Sequence, residues 1–487
     1  MGSAMLLLAL LVLLLFLLYK YFTRTHGTLE RLGIPTIKPY PFVGSLVAAD
    51  GGEDVANARR FGRVWGQYEG MMPQIFIGDL ELAKRVLITD FDHFTDRPLL
   101  FEFDIARDML DFLQGERWKV VRSILAPAMT SGTKIKAMMP TMNECLEDAF
   151  LRVDTKLRSG PQLQIKDDLF GPLVLDISAR FSFSMKIPNL DDKSSTFVKA
   201  ATAFGPLFIP SSWLEGVLLA FPAYFNWRGA RLLQPALRYL VQLLRRSIKQ
   251  RRADGVTNTD LVSAITDAID NRVPTPEFRR LGITEDVLLL QGAELLMAAY
   301  DTTGTTLALA AFHLVRHPDV LSRAVEEVDG AGELSYEALQ QLPLLEAVVQ
   351  EALRLSSLIT RHFRVCTRDW EYDGLRIPAG TAVLVPLRPF HFDPELFPEP
   401  ERFLPDRWLG EQGRQLGQYS WMPFGLGPRA CMGLRLAMVE CKFVLAHLLR
   451  RYTIAPPTGV RPVKEGEAEP SPGYDPVLIK VEERSDR

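Results

Sequence analysis

Residues 424–433 read FGLGPRACMG, and the cysteine among them, Cys431, is one of four in 487 residues. Three glycines and a proline in ten residues make a tight turn whose backbone N–H groups can approach whatever the sulfur binds. The apolar run LRLAMVECKFVLAHLL follows at once. A helix N-terminus should therefore stand beside the sulfur and favour the thiolate over the thiol. A cysteine thiolate can ligate haem iron, and its strong donation favours O–O cleavage, a purpose that imidazole serves less well. The competing account is a buried structural cysteine after a glycine turn, the usual fate of a lone cysteine.

A second group of reactive side chains lies in residues 297–306, MAAYDTTGTT, inside an otherwise apolar helical run. Threonine and glycine form helix poorly, and a threonine hydroxyl can bond back to the carbonyl four residues earlier. Both features predict a bent helix with a widened turn able to hold water. The acid beside an alcohol, Asp301 then Thr302, is what a proton relay into an apolar pocket needs. The bland alternative is a core helix with satisfied threonines. A third feature is Glu351 with Arg354 in VVQEALRL, where an apolar setting obliges the two charges to satisfy each other. Glu277/Arg280, Glu399/Arg402 and Glu411/Arg414 share that spacing without that setting.

The elements that must position these groups read mostly as helix. Apolar residues recur at three- and four-residue steps from about 54 to 329, most clearly over 237–252 and 284–316. Residues 361–386 are β-branched and aromatic, with turns at Asp373-Gly374 and Pro378-Ala379-Gly380, and predict a hairpin or small sheet. Further short strands are expected over 74–77 and 477–481. The fold class is therefore mainly α with a small β region. Residues 203–225 are apolar but broken by Pro206, Pro210 and Glu215. They suit a buried helix pair or a lid dipping into a bilayer better than a second span.

Composition sets the outer limits. Hydrophobic residues at 47% and charged residues at 24% are ordinary for a globular chain and exclude a collagen-like or disordered one. With 56 Lys and Arg against 59 Asp and Glu, the net charge of -3 gives no field for general nucleic-acid binding. Cys145, Cys366, Cys431 and Cys441 include no C-x-x-C pair, which argues against a disulfide scaffold or a thiolate zinc site. Residues 4–19 carry no charge, slightly short of the roughly 20 residues a bilayer core asks for. Lys20 and Arg24 follow the run and no small-residue cleavage site appears, so 1–22 read as an uncleaved anchor with the remainder in the cytosol. A cleaved secretory signal is the alternative. Pro35, Pro39 and Pro41 make 23–45 a stiff hinge separating the anchor from a single domain at 46–487.

The pattern F-G-x-G-x-R-x-C-x-G resembles the haem-binding loop of the cytochrome P-450 (haem-thiolate monooxygenase) family, with every position filled. The resemblance implies that Cys431 is the axial ligand of haem b, that Phe424 packs near the sulfur, and that Arg429 meets a haem propionate. Residues 298–303 resemble the family's A-(A/G)-x-(D/E)-T-(T/S), which makes Thr302 the alcohol that steadies dioxygen. Ala299 stands where glycine is common, implying a more crowded haem face. E-A-L-R at 351–354 resembles the family's E-x-x-R, which locks a second arginine from a later loop. Arg402 in PERF spells the family's usual letters. Family members place a P-E-x-F segment before the true P-E-R-F, however, so Arg407 in PDRW is the expected third member. Ser357, where the family often has proline, is expected to loosen the following segment. Trp118 and Arg122 resemble W-x-x-x-R, a spacing that puts both side chains on one helical face. With Arg97 and Arg364 they are implied to meet the propionates.

Similarity in order and spacing runs from Leu29 to Val481. Residues 115–132 and 424–437 look most like the branch containing the microsomal drug and steroid oxidases and thromboxane synthase. That branch implies a protein of the endoplasmic reticulum membrane facing the cytosol. It would use dioxygen and electrons passed from NADPH by cytochrome P-450 reductase, with cytochrome b5 a further candidate partner, to hydroxylate a steroid, lipid or xenobiotic. Arg117, Lys119, Lys134, Lys136, Arg435 and Lys442 are the expected docking patch for the acidic reductase. The second hypothesis is a haem-thiolate isomerase of a lipid peroxide that needs neither reductase nor dioxygen. The third is a membrane-tethered haem or steroid carrier. Asp301 and Thr302 favour the first. Phe101, Phe103, Phe204, Phe208 and Leu358 are candidate pocket-lining residues, each equally placed to be plain core.

Overall fold

The structure is a computed structural model that describes residues 2–45, 52–98, 105–188, 190, 192–205, 222–255, 260–416, 418–461, 463 and 476–484. Helix α1 (Gly2–Phe22) is apolar all round, and none of the window Met5–Phe22 is buried. At 1.5 Å per residue its 21 residues span about 31 Å, close to a bilayer core of about 30 Å. The proline segment that follows is not a free-standing spacer. Ile37 N donates to Gly66 O and Gly66 N to Pro35 O, while Leu29 and Ile34 are buried in the core beneath. Proline cannot donate to a ladder, but the residues between the prolines can, and they pin the segment to the sheet edge.

That sheet has the order β1-β2-β7-β4, with β1 (Val64–Glu69) antiparallel to β2 (Met72–Ile77) and β2 parallel to β7 (Ala382–Pro386). Strand β7 in turn runs antiparallel to β4 (Arg361–Val365). All five residues of β7 are buried, as an inner strand covered on both faces requires. Residues 361–386 thus supply two strands of the large sheet as well as the separate hairpin β5 (Trp370–Tyr372) and β6 (Leu375–Ile377). The hairpin turns at Asp373 (φ 51) and Gly374 (φ 75), the positive-φ pair of a tight two-residue turn. A third sheet pairs β3 (Gln162–Gln164) and β8 (Tyr452–Ala455) with β9 (Leu478–Glu483) in the order β3-β9-β8.

The helices form the larger layer. Those that bear on the site are α2 (Gly115–Thr130), α3 (Gly132–Leu157), α4 (Gly171–Phe183), α5 (Pro222–Asp254), α6 (Glu285–Arg316), α7 (Pro343–Leu355) and α8 (Leu434–Arg451). Thr284 caps α6 by accepting from Val287 N, and Glu285 and Asp286 complement the dipole of its first turn. Most of α6 is buried on every side, as in a central helix of a large core. It stays an unbroken α-helix through 298–306, so the widened turn expected there is absent. The threonine hydroxyls do bond back, Thr302 Oγ1 to Ala298 O at 2.7 Å and Thr306 Oγ1 to Thr302 O at 2.8 Å. Packing against α4 and α5 keeps the helix regular despite them. Of the segment 203–225, residues 206–221 lie outside the described residues, as do Phe101, Phe103 and Phe208. Phe204 and Leu358 are half-buried against the core.

The candidate haem-thiolate site

The cysteine loop is built by its glycines and a short turn. Cys431 N donates to Phe424 O at 2.7 Å, Ala430 N to Gly427 O at 2.9 Å and Gly425 N to Met422 O at 3.0 Å. Gly427 has φ 71, and a Cβ there would stand 1.9 Å from Leu87 O, so no other residue fits. Helix α8 starts three residues after Cys431. Of the four cysteines Cys431 alone is exposed; Cys145, Cys366 and Cys441 are buried. Protein nevertheless surrounds the sulfur closely enough that burial pushes the thiol above its ordinary 9.0. The Gly433 N–H and then Arg122 pull the other way without winning. The N–H at the helix start leans toward the thiolate as expected, but burial outweighs it, and a bound metal cation is what would tip the balance.

Beneath the loop lies the buried charge cluster that holds it. Glu351 and Arg354 are fully buried and doubly bonded, Nε to Oε2 and Nη2 to Oε1, both at 2.9 Å. Arg407 Nε reaches Glu351 Oε1 at 3.0 Å, whereas Arg402 pairs with Glu399 at the surface. Leu404 N and Trp408 Nε1 also donate to the Glu351 carboxylate, at 3.0 and 2.8 Å. Burial alone would raise this carboxyl, but Arg354 and then Arg407 outweigh it and hold it below the ordinary value. From Trp408 the packing runs to Trp421 (ring centroids 5.8 Å apart) and on to Phe424 (6.0 Å), whose carbonyl receives the Cys431 N–H. A rigid chain of side chains therefore connects the charge cluster to the sulfur-bearing turn. Ser357 Oγ donates to Leu353 O at 2.8 Å.

On the other side of the loop four arginines converge. Arg122 Nη2 donates to Ala430 O at 2.7 Å, one residue from Cys431. The Arg429 guanidinium lies 4.0 Å over the Trp118 ring and donates to the carbonyls of Thr95 (2.9 Å), Leu110 (3.2 Å) and Leu113 (2.6 Å). These engage three of its five N–H groups. Burial and then Arg97 lower it to about 9, which still leaves it charged at neutral pH. Arg97 bonds Asp111 Oδ1 at 2.5 Å and Arg429 O at 3.2 Å. Arg364 is 1% exposed, and its Nε has no partner among the described residues. Burial, Arg97 and Arg429 together push its pKa well below that of a free guanidinium. A buried, under-bonded guanidinium among other cations is costly unless anions join it. A haem's two propionate carboxylates would be such anions, and an exposed cysteine sulfur close by would face its iron. The residues present fit the group.

Between Val287 and Val315 in α6 only two residues are exposed, Ala298 and Thr302, one helical turn apart on one face. Ala299, expected to crowd the haem face, is half-buried beside that stripe. Asp301 Oδ1 is held by Lys166 Nζ at 2.7 Å. Lys166 escaped the sequence reading, and no local signal marks it. Glu294 escaped as well, although a carboxylate inside the apolar run LLLQGAELLM carries the same signal that singled out Glu351. The basic patch is thinner than expected. Lys442 is buried and paired with Glu346 at 2.7 Å, Lys136 is paired with Glu337, and Arg117 is paired with Asp108. Lys119 and Arg435 stay exposed. A depression of about 480 Å³ lined by Lys156, Gln162 and Asp168 includes none of these site residues, and its Lys156 and Asp168 neutralise each other at 2.7 Å.

A mostly helical fold that brings an exposed cysteine on a glycine turn beside a set of buried arginines defines a haem-thiolate protein. The cytochrome P450 family model matches residues 34–477, and the chain belongs to that family. It is 30% identical to cytochrome P450 3A13 of Mus musculus over 494 residues, 97% of this chain and 95% of that protein. It is 30% identical to cytochrome P450 3A5 of Homo sapiens over 491 residues, covering 98% and 96%. Cytochrome P450 3A29 of Sus scrofa is 29% identical over 490 residues, covering 96% and 94%. The chain is a haem-thiolate monooxygenase, an oxidoreductase.

Proposed function

We propose that this enzyme hydroxylates a lipophilic steroid, lipid or xenobiotic with dioxygen and electrons delivered by NADPH-cytochrome P-450 reductase, cytochrome b5 being a second donor. It would do so at the endoplasmic reticulum membrane, with α1 as anchor, 23–45 as the connection and 46–487 as one cytosolic catalytic domain. The observation that carries this reading is the Ala298/Thr302 stripe with Asp301 beside it, a polar relay opening from an otherwise apolar helix. The apolar residues around it favour an oily substrate.

In this reading Cys431 would hold the iron, and Arg364, Arg97, Arg429 and Arg122, with Trp118, would hold the propionates. Haem iron with a thiolate ligand supplies dioxygen binding and O–O cleavage. The chain supplies the rest. Phe424 fixes the backbone of the sulfur-bearing turn, and Glu351, Arg354 and Arg407 fix Phe424 through the tryptophans. Thr302 Oγ1 spends its proton on Ala298 O, so it meets the open face as an acceptor and must release that 2.7 Å bond before it can donate. Asp301, with its side chain 44% exposed, can pass a proton inward only by leaving Lys166. Lys119, Lys134 and Arg435 remain as the basic groups for the acidic reductase.

The Lys166–Asp301 pair also supports the second reading, a peroxide isomerase, since a relay acid held by a lysine is dispensable when the substrate brings its own activated oxygen. Turnover with NADPH and purified reductase, set against turnover of a fatty-acid endoperoxide alone, decides the matter. The monooxygenase reading expects product only with reductase. Product from the endoperoxide alone, and none with NADPH and reductase, overturns it.

A further inference from the structure

Two residues of α6 that the proposed chemistry leaves unused, Glu294 and Gln291, lie one and two turns before Ala298. Gln291 Nε2 donates to Asp108 O at 2.9 Å. Glu294 accepts from two successive backbone N–H groups, Leu110 N at 2.6 Å on Oε2 and Asp111 N at 3.1 Å on Oε1. Its side chain is deeply buried, and burial raises its carboxyl to about 8 against the pull of those two N–H groups. Helix packing alone gives no reason for a carboxylate here, where an apolar side chain would be less costly.

The reason lies in what else the captured backbone touches. Leu110 O, the carbonyl of the same peptide whose N–H belongs to Asp111, accepts from Arg429 Nη1 at 3.2 Å. One amide is therefore gripped on its N–H side by α6 and on its C=O side by the cysteine loop. Hydrogen bonds at the two ends of one amide polarise it in the same sense and strengthen each other. The Asp111 side chain extends the link by binding Arg97, which donates in turn to Arg429 O at 3.2 Å. These three contacts close a hydrogen-bonded circuit through the Leu110–Asp111 peptide, Arg97 and Arg429, and Glu294 grips that circuit at the Asp111 N–H.

We propose that Glu294 is a positioning residue for the cysteine loop: by fixing the Leu110–Asp111 amide it sets where Arg429 and Arg97 stand and so how firmly the cofactor's carboxylates are held. The proposal rests on the reading of Arg429 as a propionate partner.

The test uses the purified holoprotein and two readouts that need no substrate, the rate of haem transfer to apomyoglobin and the hydrogen exchange of residues 108–113. Glu294→Gln keeps an acceptor for one N–H but turns an amide against the other. It should speed both readouts about tenfold, the effect of losing one hydrogen bond. Arg429→Lys should speed haem transfer as well, and the double variant should lose haem no faster than the faster single one. If Glu294→Gln yields no holoprotein, Glu294→Asp, which keeps the carboxyl group but falls short by one methylene, carries the same comparison. Haem transfer within about twofold of the parent despite faster exchange overturns the proposal, since a twofold change falls well below one bond. A double variant equal to the product of the singles overturns it too, because it makes the two residues independent. If Arg429→Lys alone leaves haem transfer unchanged, the propionate reading of Arg429 falls first and takes the proposal with it.

Discussion

At the scale of single residues, the buried charges separate from their surface look-alikes by environment. Glu351 and Arg354 have no exposure, while Glu399 and Arg402 present the same spacing at 58% and 28%. Removing one partner of a buried pair strands the other, so Arg354→Ala should lower unfolding stability by about 3–5 kcal/mol. Arg402→Ala should change it by less than about 1 kcal/mol. Denaturant midpoints of the two variants check this, and equal losses would contradict it. In the proposed relay Asp301 carries the proton. Asp301→Asn keeps the shape and removes the proton carrier, and should slow turnover about a hundredfold with haem content unchanged, as loss of a general acid does. Unchanged turnover would remove Asp301 from the relay.

At the scale of elements, α6 shows what sequence could and could not convey. Its position, length and apolar character were legible because a 3.6-residue repeat sustained over 284–316 has few other solutions. The widened turn was not, since bonding back by Thr302 and Thr306 bends a helix only where its neighbours allow it, and which neighbours pack there is set by distant sequence. The hairpin at Asp373-Gly374 was legible from its turn residues. The pairing of β7 with β2, some three hundred residues earlier in the chain, was beyond any local pattern. The sulfur-bearing turn could be read because its glycines and cysteine are contiguous. Lys166 and the Leu110–Asp111 amide could not, because they act across long loops. The exposed stripe on α6 makes its own prediction. Ala298→Phe adds bulk on an open face and not into the core, so it should abolish binding of lipophilic ligands while thermal stability stays nearly constant. A large stability loss would mean that the face is packed.

At the scale of the whole molecule, buried titratable groups give stability a dependence on pH. Glu440 is deeply buried in α8, and burial raises its carboxyl from 4.5 to about 8. A carboxyl raised in the folded state stabilises fully below its unfolded value and loses that contribution as pH rises toward its folded one, at up to about 1.4 kcal/mol per unit per group. His362 and His391, which burial lowers to about 3, act in the opposite sense, but only below their ordinary 6.5. From pH 6.5 to 8 the acids therefore act alone. The half-life of the folded enzyme against heating should fall across that window, and Glu440→Gln should flatten the fall. An identical slope in the variant would show that Glu440 is already ionised.

The account depends above all on Cys431 as a thiolate ligand to haem iron. The carbon monoxide difference spectrum of the reduced protein measures that bond directly. The parent protein should show the red-shifted Soret band of a thiolate-ligated haem, and Cys431→Ser should lose the shift together with turnover. An unshifted band in the parent, or a shifted one that survives in Cys431→Ser, would contradict it.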